Sequence, residues 1–382
     1  MNKTKILLKN NKYIYNVYTI IFSLIFKIWG IFIKTDNKLI LMNSFGGLKY
    51  DDSPKVIYEY MLKNPRYDSY KVYWAFGNLN ITDKVENKVK VGTLKYFYLA
   101  LKAKYWITNS AIEKGLKFKK KDTIYINTWH GTALKKMGVD ISKNNYRFNT
   151  SKIDIMYAQS EYDIDTFSRV FELPKENFVL AGLPRNDELT GINNEEIQQI
   201  KNKLKIPNGK KIILYAPTFR EYNRDKNGCI ISPPLNLKYW KESLSDEYIL
   251  IFRAHYEINT VLGIENDGFV YNLSDYINLN ELLKISDILV TDYSSIMFDY
   301  AILERPIFLY GYDYEEYNLK RGLYKEVIEN LPNEYIKKEK ELIENIKSCD
   351  FENEKNKTKM FKEKFITVSG NAQKYIDEII GE

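Results

Sequence analysis

The sequence predicts an α/β protein that is built from two parallel-sheet domains. With 382 residues the chain is longer than one hydrophobic core usually serves, and 45% of its residues are apolar, enough for two cores. From residue 38 onward, short strand patterns alternate with helix patterns, as they do in parallel sheets made of βαβ units. The stretch GLPRNDELT at 182–190 is rich in turn residues and divides this alternation into two series. Two successive Rossmann-like halves that face a cleft are therefore expected.

The domain boundaries are expected where the composition changes. We expect a membrane-associating helix region at 1–37, a first Rossmann-like domain at 38–190 and a second at 191–382. The second domain would include the last forty residues, which are rich in Lys and Glu and predict helices.

The amino-terminal region contains a long apolar segment at 14–33, IYNVYTIIFSLIFKIWGIFI. Its polar or small residues recur every three or four positions and form one narrow stripe on a helix, which comprises Lys12, Asn16, Thr19, Ser23, Lys27, Gly30 and Lys34. Lysines flank both ends, so an amphipathic helix that lies in an anionic membrane interface explains the stripe and the lysines together. A helix that spans the membrane and a helix packed on the protein are the alternatives. A secretory signal is disfavoured, because no small-residue cleavage site follows.

The first series predicts seven strands and three helices. The strands are KLILMN at 38–43, SYKVYWAF at 69–76, KVKVG at 88–92, KYWITN at 104–109, TIYINTW at 123–129, IDIMYAQS at 153–160 and NFVLAG at 177–182. One helix is expected to begin with Pro54 at its first position, a second is TLKYFYLALKAK at 93–104, and a third begins near Ser160 with the capping-box pattern SEYD.

The second series repeats the alternation. Its helices are NNEEIQQIKNKL at 193–204, DYINLNELLKIS at 275–286 and IMFDYAILE at 296–304. Its strands are KIILYAP at 211–217, EYILIFRAH at 247–255, FVYNL at 269–273, DILVT at 287–291 and PIFLY at 306–310.

The composition argues against several classes of partner. A net charge of +7 is mild for this length and comes without a concentrated basic block or a zinc pattern, so nucleic acid is not an expected partner. Cys229 and Cys349 lie far apart, form no metal spacing and fit a reducing compartment. We expect no metal and no cofactor, and the sequence indicates no oligomeric state. The chain has 2 histidines, so imidazole chemistry must use His130 or His255.

The motif TWHGTALKKMG at 128–138 places a histidine directly after a strand, with a helix-like run behind it. Sites in open α/β sheets form at the carboxyl ends of strands, and His130 is the side chain type best matched to proton transfer near neutral pH. Gly131 would let a substrate approach closely, and Lys135 could attract phosphate. The alternative is a histidine that merely caps a turn beside solvated lysines.

Two further motifs also follow strands. In FRAHYE at 252–257, Arg253 and His255 have the same parity and could together neutralise a phosphoryl group, or Arg253 could instead form an ion pair with a nearby carboxylate. In YAPTFR at 215–220, Thr218 and Arg220 could contact a nucleotide or phosphate, or the segment could be a simple turn around its proline.

The segment TDYSSIMFDYAILERPIFLY at 291–310 runs from a strand into a helix. Ser294 and Ser295 could cap this helix or offer hydroxyls, and the free backbone N–H groups of its first turn favour an anion. Asp292 could orient a sugar hydroxyl or a histidine. Glu304 ends the predicted helix, where a carboxylate opposes the helix dipole, so it could serve as a ligand.

Taken in order, these motifs resemble the CDP-glycerol glycerophosphotransferase family, which builds wall teichoic acid and related polymers. The matching stretches run from about residue 40 to the end: SFGGLKYDDSPKVIYEYM, YWITN, NTWHGTALKKMG, AGLPRND, YAPTFR, FRAH, TDYSSIMFDYAILERPIFLY, RGLY and SGNAQKYI. One departure is Tyr256, which stands where the family often has Pro after the histidine.

The resemblance implies a GT-B-like fold with the acceptor domain first and the nucleotide-donor domain second. It implies CDP-glycerol as donor, a polyprenyl-diphosphate-linked glycan as acceptor, and a peripheral position on the cytoplasmic face of the cell membrane. His130 would then be the general base. Arg253, His255, Ser294 and Ser295 would hold the diphosphate and stabilise the leaving group, and His255 could exchange roles with His130. The lesser contacts would be Asp292, Glu304, Thr218 and Arg220. The resemblance does not separate a primase from a polymerase, and CDP-ribitol is a further donor option. A GT-B glycosyltransferase that uses a nucleotide sugar and a non-catalytic membrane scaffold are the alternatives.

Overall fold

The computed structural model describes residues 12–141, 152–218, 220, 235–254 and 264–380. His255 and Cys229 lie outside these residues. The chain divides into two compact units: unit 1 comprises Met1–His130, Ser142–Asp187 and Gly370–Glu382, and unit 2 comprises Gly131–Ile141 and Glu188–Ser369.

This division differs from the expected boundaries at 38–190 and 191–382 in the placement of two segments. The segment that follows His130 belongs to unit 2, and residues 370–382 return to unit 1. The carboxy-terminal segment returns because Ile376 and Ile380 are buried in the core of unit 1. Asp187 also accepts the backbone N–H groups of Ala372 (2.9 Å) and Gln373 (3.0 Å).

Unit 1 is built on a parallel sheet in the order β3-β2-β1-β4-β5-β6-β7. The strands are β1 Asp36–Asn43, β2 Lys71–Phe76, β3 Lys88–Lys90, β4 Ala103–Thr108, β5 Ile124–Asn127, β6 Ile155–Ala158 and β7 Phe178–Leu180. All seven predicted strands are thus present. The order reverses between β1 and β4, the switch point at which Rossmann-type sheets bind ligands.

Unit 2 is built on a second parallel sheet, in the order β10-β9-β8-β11-β12-β13. Its strands are β8 Lys211–Ala216, β9 Tyr248–Phe252, β10 Val270–Asn272, β11 Ile288–Thr291, β12 Ile307–Tyr310 and β13 Tyr335–Ile336. The short strand β13 carries no clear pattern of its own and was not predicted. Here the switch point lies between β8 and β11.

Helices connect and flank the strands. The α-helices are Lys12–Ile31, Asp52–Lys63, Leu94–Lys102, Glu161–Phe171, Asn194–Leu204, Leu237–Leu244, Leu279–Ile285, Ile296–Ala301, Tyr314–Arg321, Lys325–Ile328, Glu339–Lys347, Phe351–Phe365 and Ile376–Ile379. The cap predicted at Ser160 is confirmed, since its hydroxyl accepts the N–H of Asp163.

Three helix predictions need correction. The helix expected to begin at Pro54 begins at Asp52, so that Pro54 lies at its third position. The run after His130 is no helix, because Lys135 instead pairs with Leu323 in an antiparallel bridge. The helix predicted at 296–304 ends at Ala301, and Glu304 then adopts a left-handed φ of 52°.

The amino-terminal helix Lys12–Ile31 lies on unit 1 and exposes its apolar side. Phe26 is 6% exposed and stacks on Phe97 with ring centroids 4.2 Å apart, while the Ser23 hydroxyl accepts the N–H of Lys117 (2.8 Å). Gly30 is also buried, so part of the predicted polar stripe is the side that packs on the protein. By length and composition alone, Tyr13–Ile31 could cross a membrane. Its exposed apolar residues include Ile20, Ile21, Leu24, Ile25, Ile28 and Ile31.

Candidate functional site

In unit 1, His130 lies just beyond the end of β5, between two residues whose backbone conformations few residues adopt. The preceding Trp129 has a φ of 51° and the following Gly131 a φ of 134°, so the chain turns sharply on both sides of the histidine. The Nδ1 atom of His130 lies 2.9 Å from the carbonyl oxygen of Asn109, at the end of β4. A carbonyl oxygen can only accept, so Nδ1 carries the proton and the Nε2 lone pair is that of a base.

The surroundings of His130 favour its neutral form. Burial lowers the pKa of His130 below its ordinary value, although the carbonyl of Asn109 and the charge of Asp52 act in the opposite direction. The imidazole therefore stays unprotonated, and able to take a proton, at a lower pH than a histidine in water. This is the protonation state that a general base requires.

Asp52 and Arg185 fix the backbone at His130. The Arg185 Nη1 atom donates to the Asp52 carboxylate and to the backbone oxygen of His130, each at 2.9 Å. Asp52 is buried, has a φ of 63° and accepts the N–H of Ser53 (2.6 Å). The sequence analysis did not select either residue as a site residue, although Asp52 lies in the stretch SFGGLKYDDSPK and Arg185 in AGLPRND. Their partners are far apart in the chain, so spacing could not pair them.

In unit 2, hydrogen bonds to Asp292 link the ends of β8 and β11, the two strands at the switch point. Its Oδ1 atom accepts the N–H of Thr218, at the end of β8, at 2.8 Å and that of Tyr293 at 2.6 Å. The Thr218 hydroxyl is buried and has no hydrogen-bond partner in the part of the chain that the structure describes. Asp292 therefore shapes the turn that leads to Ser294, whereas a direct contact to a sugar was one of the roles expected for it.

Arg220 is held in a buried network rather than presented to solvent. Nη1 donates to Asp292 Oδ2 (2.7 Å) and to the carbonyl of Thr218 (2.6 Å), while Nε and Nη2 donate to the two oxygens of Asp313 at 2.8 and 2.9 Å. Burial alone would lower the pKa of Arg220, but the two aspartates raise it overall, so the guanidinium stays charged. The rings of Tyr293 and Tyr317 lie 4.8 and 5.0 Å from its Cζ atom.

Asp313 is the residue of this network that the sequence analysis did not select. It follows β12 by three positions, so the rule that polar residues beyond strand ends form sites would have found it. Besides its bidentate pair with Arg220, Asp313 accepts the Tyr293 hydroxyl at 3.0 Å. It thereby holds the residue that immediately precedes Ser294.

The two serines lie at the start of the helix Ile296–Ala301. The Ser294 hydroxyl accepts the N–H of Ile296 at the long distance of 3.4 Å, and Ser295 occupies the N-cap position without a side-chain cap bond. Capping therefore uses these hydroxyls only weakly, which leaves them suited to a ligand.

The remaining expected site residues lie mostly in unit 2. Arg253 directly follows β9, and its backbone N–H donates to Tyr215 (2.9 Å). Lys135 places its ammonium group 5.7 Å from the ring of Tyr317. Glu304 forms a 2.8 Å ion pair with Lys362, so its carboxylate is already neutralised. Within the described ranges, no group of three or more His, Cys, Asp or Glu side chains is arranged to hold a metal ion.

Comparison with known proteins identifies the class of enzyme. The wall teichoic acid polymerase TagF has a solved structure that is 30% identical, with a TM-score of 0.82, and the match covers 100% of this chain and 98% of that one. A histidine-to-asparagine variant of TagF soaked with CDPG is also 30% identical, with a TM-score of 0.82 over 97% of this chain and 96% of that one. With its two parallel sheets, the protein is a transferase of the GT-B-like class.

A family model and several similar proteins show to which family the chain belongs. The chain belongs to the CDP-glycerol:poly(glycerophosphate) glycerophosphotransferase family, whose model matches residues 25–381. The teichoic acid poly(glycerol phosphate) polymerase of Bacillus spizizenii is 34% identical, over 99% of this chain and 100% of its own length. That of Staphylococcus epidermidis is 34% identical over 91% of this chain, which spans about half of that relative (51%). The resemblance inferred from the motifs is confirmed.

Proposed function

We propose that this protein transfers glycerol phosphate from CDP-glycerol to a hydroxyl of a polyprenyl-linked acceptor and releases CMP. The observation that carries the proposal is His130, a partly buried imidazole that the Asn109 carbonyl holds with Nε2 unprotonated. The CDPG soak of TagF supports the choice of donor, because that polymerase is 30% identical to this chain.

The proposed reaction is an in-line displacement at phosphorus. The acceptor hydroxyl gives its proton to Nε2 of His130 as its oxygen bonds to the phosphorus that bears glycerol. The bond from that phosphorus to the bridging oxygen of the diphosphate breaks, and the oxygen leaves with CMP. Such phosphoryl transfer depends on positioning and on stabilising charge, since the protein forms no covalent intermediate in this scheme.

The donor diphosphate is assigned to Ser294, Ser295, Arg253 and His255. The hydroxyls and the first-turn N–H groups would donate hydrogen bonds to the diphosphate at one end, and the cationic side chains would stabilise the leaving CMP. Asp292, Thr218 and Arg220 would act mainly by shaping the turn that carries the serines, as their mutual hydrogen bonds indicate. Gly131, Lys135 and Glu304 are left as secondary contacts.

The decisive experiment separates the base from the donor site. His130→Ala should lower kcat by a factor of about 10²–10⁴, the usual contribution of a general base, and should leave the affinity for CDP-glycerol within about twofold. The double variant Ser294→Ala, Ser295→Ala should instead weaken CDP-glycerol binding, measured by titration calorimetry. Normal turnover by His130→Ala would refute the base, and unchanged donor affinity in the double variant would refute the diphosphate site.

Donor choice needs its own assay, since CDP-ribitol and nucleotide sugars are the competing donors. We expect labelled CDP-glycerol to give product while CDP-ribitol and UDP-sugars give none at the same concentration. Mass analysis of the product would count the units added to each acceptor. One unit would indicate a primase, and many would indicate a polymerase.

We also propose a peripheral position on the cytoplasmic face of the membrane. The helix Lys12–Ile31 is anchored to unit 1 by Ser23 and Phe26, while most of its apolar residues remain exposed. This side would enter the interface, with exposed Lys27 and Lys34 near anionic headgroups. Sedimentation with vesicles containing phosphatidylglycerol, compared with phosphatidylcholine alone, would test it. Equal binding of the protein to both kinds of vesicle would argue against an electrostatic attraction between the lysines and anionic headgroups.

A further inference from the structure

The loop that leaves β1, residues 44–49, lies at the switch point of unit 1. It joins β1 to the helix Asp52–Lys63, and β1 pairs with both β2 and β4 in the sheet. In sheets of this order, the loops at the reversal line the crevice in which ligands bind. In the proposed reaction, unit 1 supplies the base His130 and the two residues that fix its backbone.

The loop is held by side chains of the neighbouring strand end. The N–H of Phe45 donates to Asn109 Oδ1, and that of Gly46 donates to the Ser110 hydroxyl, each at 2.8 Å. Phe45 adopts a φ of 49°, which is uncommon and unfavourable for a residue with a side chain. Such strain persists where the surrounding structure enforces it, and it concentrates at binding sites.

Two buried polar atoms lack a hydrogen bond, one in the loop and one in a residue that holds it. Ser44 and Asn109 are fully buried, and the Ser44 hydroxyl and the Asn109 amide nitrogen have no partner in the residues that the structure covers. Leaving a buried polar group unpaired is unfavourable, so folded proteins keep few such groups. Two such unpaired groups at one switch point indicate a place where another molecule, water or substrate, supplies the missing hydrogen bonds.

The exposed part of the loop adds an aromatic ring and a positive charge beside the base. The ring of Phe45 lies 5.7 Å from that of His130, and the Lys49 ammonium lies 5.4 Å from the Phe45 ring. Lys49 is exposed and makes no ion pair within the described part of the chain. A Cβ atom added at Gly46 would have no neighbouring atom within 4 Å, so the loop leaves open space there.

We propose that the loop 44–49 is the acceptor subsite and that it binds an anionic glycerol-phosphate unit. Lys49 pairs with the phosphate of this unit, and Phe45 packs against its glycerol carbons. The terminal hydroxyl is thereby brought to Nε2 of His130. This inference rests on the proposed function, because it assigns the second substrate of the same reaction.

The test measures binding of a synthetic glycerol-phosphate trimer to the full chain, independently of turnover. Lys49→Gln should weaken binding about fivefold, which corresponds to the ~1 kcal/mol of an exposed ion pair, and Lys49→Arg should restore most of it. Raising the salt concentration should weaken trimer binding to the wild type and have little further effect on Lys49→Gln. Lys63→Gln is the matched control, because Lys63 is also exposed, lies in the helix that follows the loop and should leave binding unchanged.

Turnover distinguishes failure of this inference from failure of the proposed function. With the trimer as acceptor, Lys49→Gln should raise the KM for the trimer and leave the KM for CDP-glycerol at its wild-type value. Equal trimer affinity in Lys49→Gln and wild type, or no binding by the wild type, would overturn the subsite. Lys49-dependent binding without any transfer from CDP-glycerol would support the subsite and refute the proposed function.

Discussion

Replacing Arg220 by Lys tests whether the buried network of unit 2 is primarily a support for the donor turn. The substitution keeps the positive charge but removes the planar group that makes four hydrogen bonds to Asp292, Asp313 and Thr218. One ammonium group cannot reach both carboxylates in the same geometry. At least one buried aspartate would therefore lose its partner.

The size of the effect follows from the burial of the three charged groups. The side chains of Arg220 and Asp292 are 4% exposed, and that of Asp313 is 9% exposed. Breaking a buried ion pair by removing one partner costs about 3–5 kcal/mol. For a unit of 150–250 residues, about 2–4 °C of Tm is lost per kcal/mol, so we expect Tm to fall by roughly 10 °C.

Differential scanning calorimetry with and without CDP-glycerol measures both parts of the prediction. Arg220→Lys should lower Tm and also reduce the stabilisation that the donor adds, because the network holds Tyr293 next to Ser294. Arg66→Lys serves as the control, since Arg66 is exposed. A Tm within about 2 °C of wild type would refute the structural role, because surface substitutions change stability by only about 0.5 kcal/mol. Unchanged Tm with lost donor affinity would instead make Arg220 a direct ligand.

Three further outcomes are expected. As the pH falls, kcat should begin to decrease only below pH ~6.5, because burial lowers the pKa of His130 and the imidazole remains a base down to that pKa. A decrease that begins above pH ~6.5 would contradict this. Phe26→Ala should cost about 3 kcal/mol of docking free energy and speed hydrogen exchange in the helix Lys12–Ile31, whereas Phe32→Ala, at an 81% exposed site, should not. Asp377→Asn should speed hydrogen exchange in the helix Asp52–Lys63, because it weakens the hydrogen bonds that the Tyr60 and Tyr67 hydroxyls donate to Asp377. Equal hydrogen exchange in variant and wild type would show that Asp377 does not stabilise this helix.

The strands could be predicted because each one is a short, continuous apolar run, as fully buried parallel strands are. β8 and β11, for example, contain almost no polar residue and lie where the sequence predicts them. The order of strands in each sheet could not be read from periodicity, since it depends on which strands pair. The two switch points, and with them the reason that Asp292 approaches Thr218, became visible only in the structure.

The sequence could nominate single residues that follow a strand as site candidates, but it could not reveal pairs of residues that lie far apart in the chain. His130 and Ser294 follow strands and were selected on that ground. Arg185 was not selected, because its importance comes from its pair with Asp52, which lies far away in sequence. The strand-end rule could have found Asp313, but only the structure shows that it pairs with the distant Arg220. The helix expected after His130 is absent for a similar reason. Lys136 donates its N–H to Gly322 (3.0 Å), a partner that local propensity does not reveal.

The return of residues 370–382 to unit 1 has a consequence for how the protein is made. Ile376 and Ile380 fill the same core as Met42 and Trp74, from the first part of the chain. Domains usually fold in order as they emerge from the ribosome. Unit 1 begins first, yet it can complete its core only after the whole of unit 2 has been synthesised. A ribosome that stalls within unit 2 would therefore carry a nascent chain whose first core still has an open apolar surface for chaperones to cover.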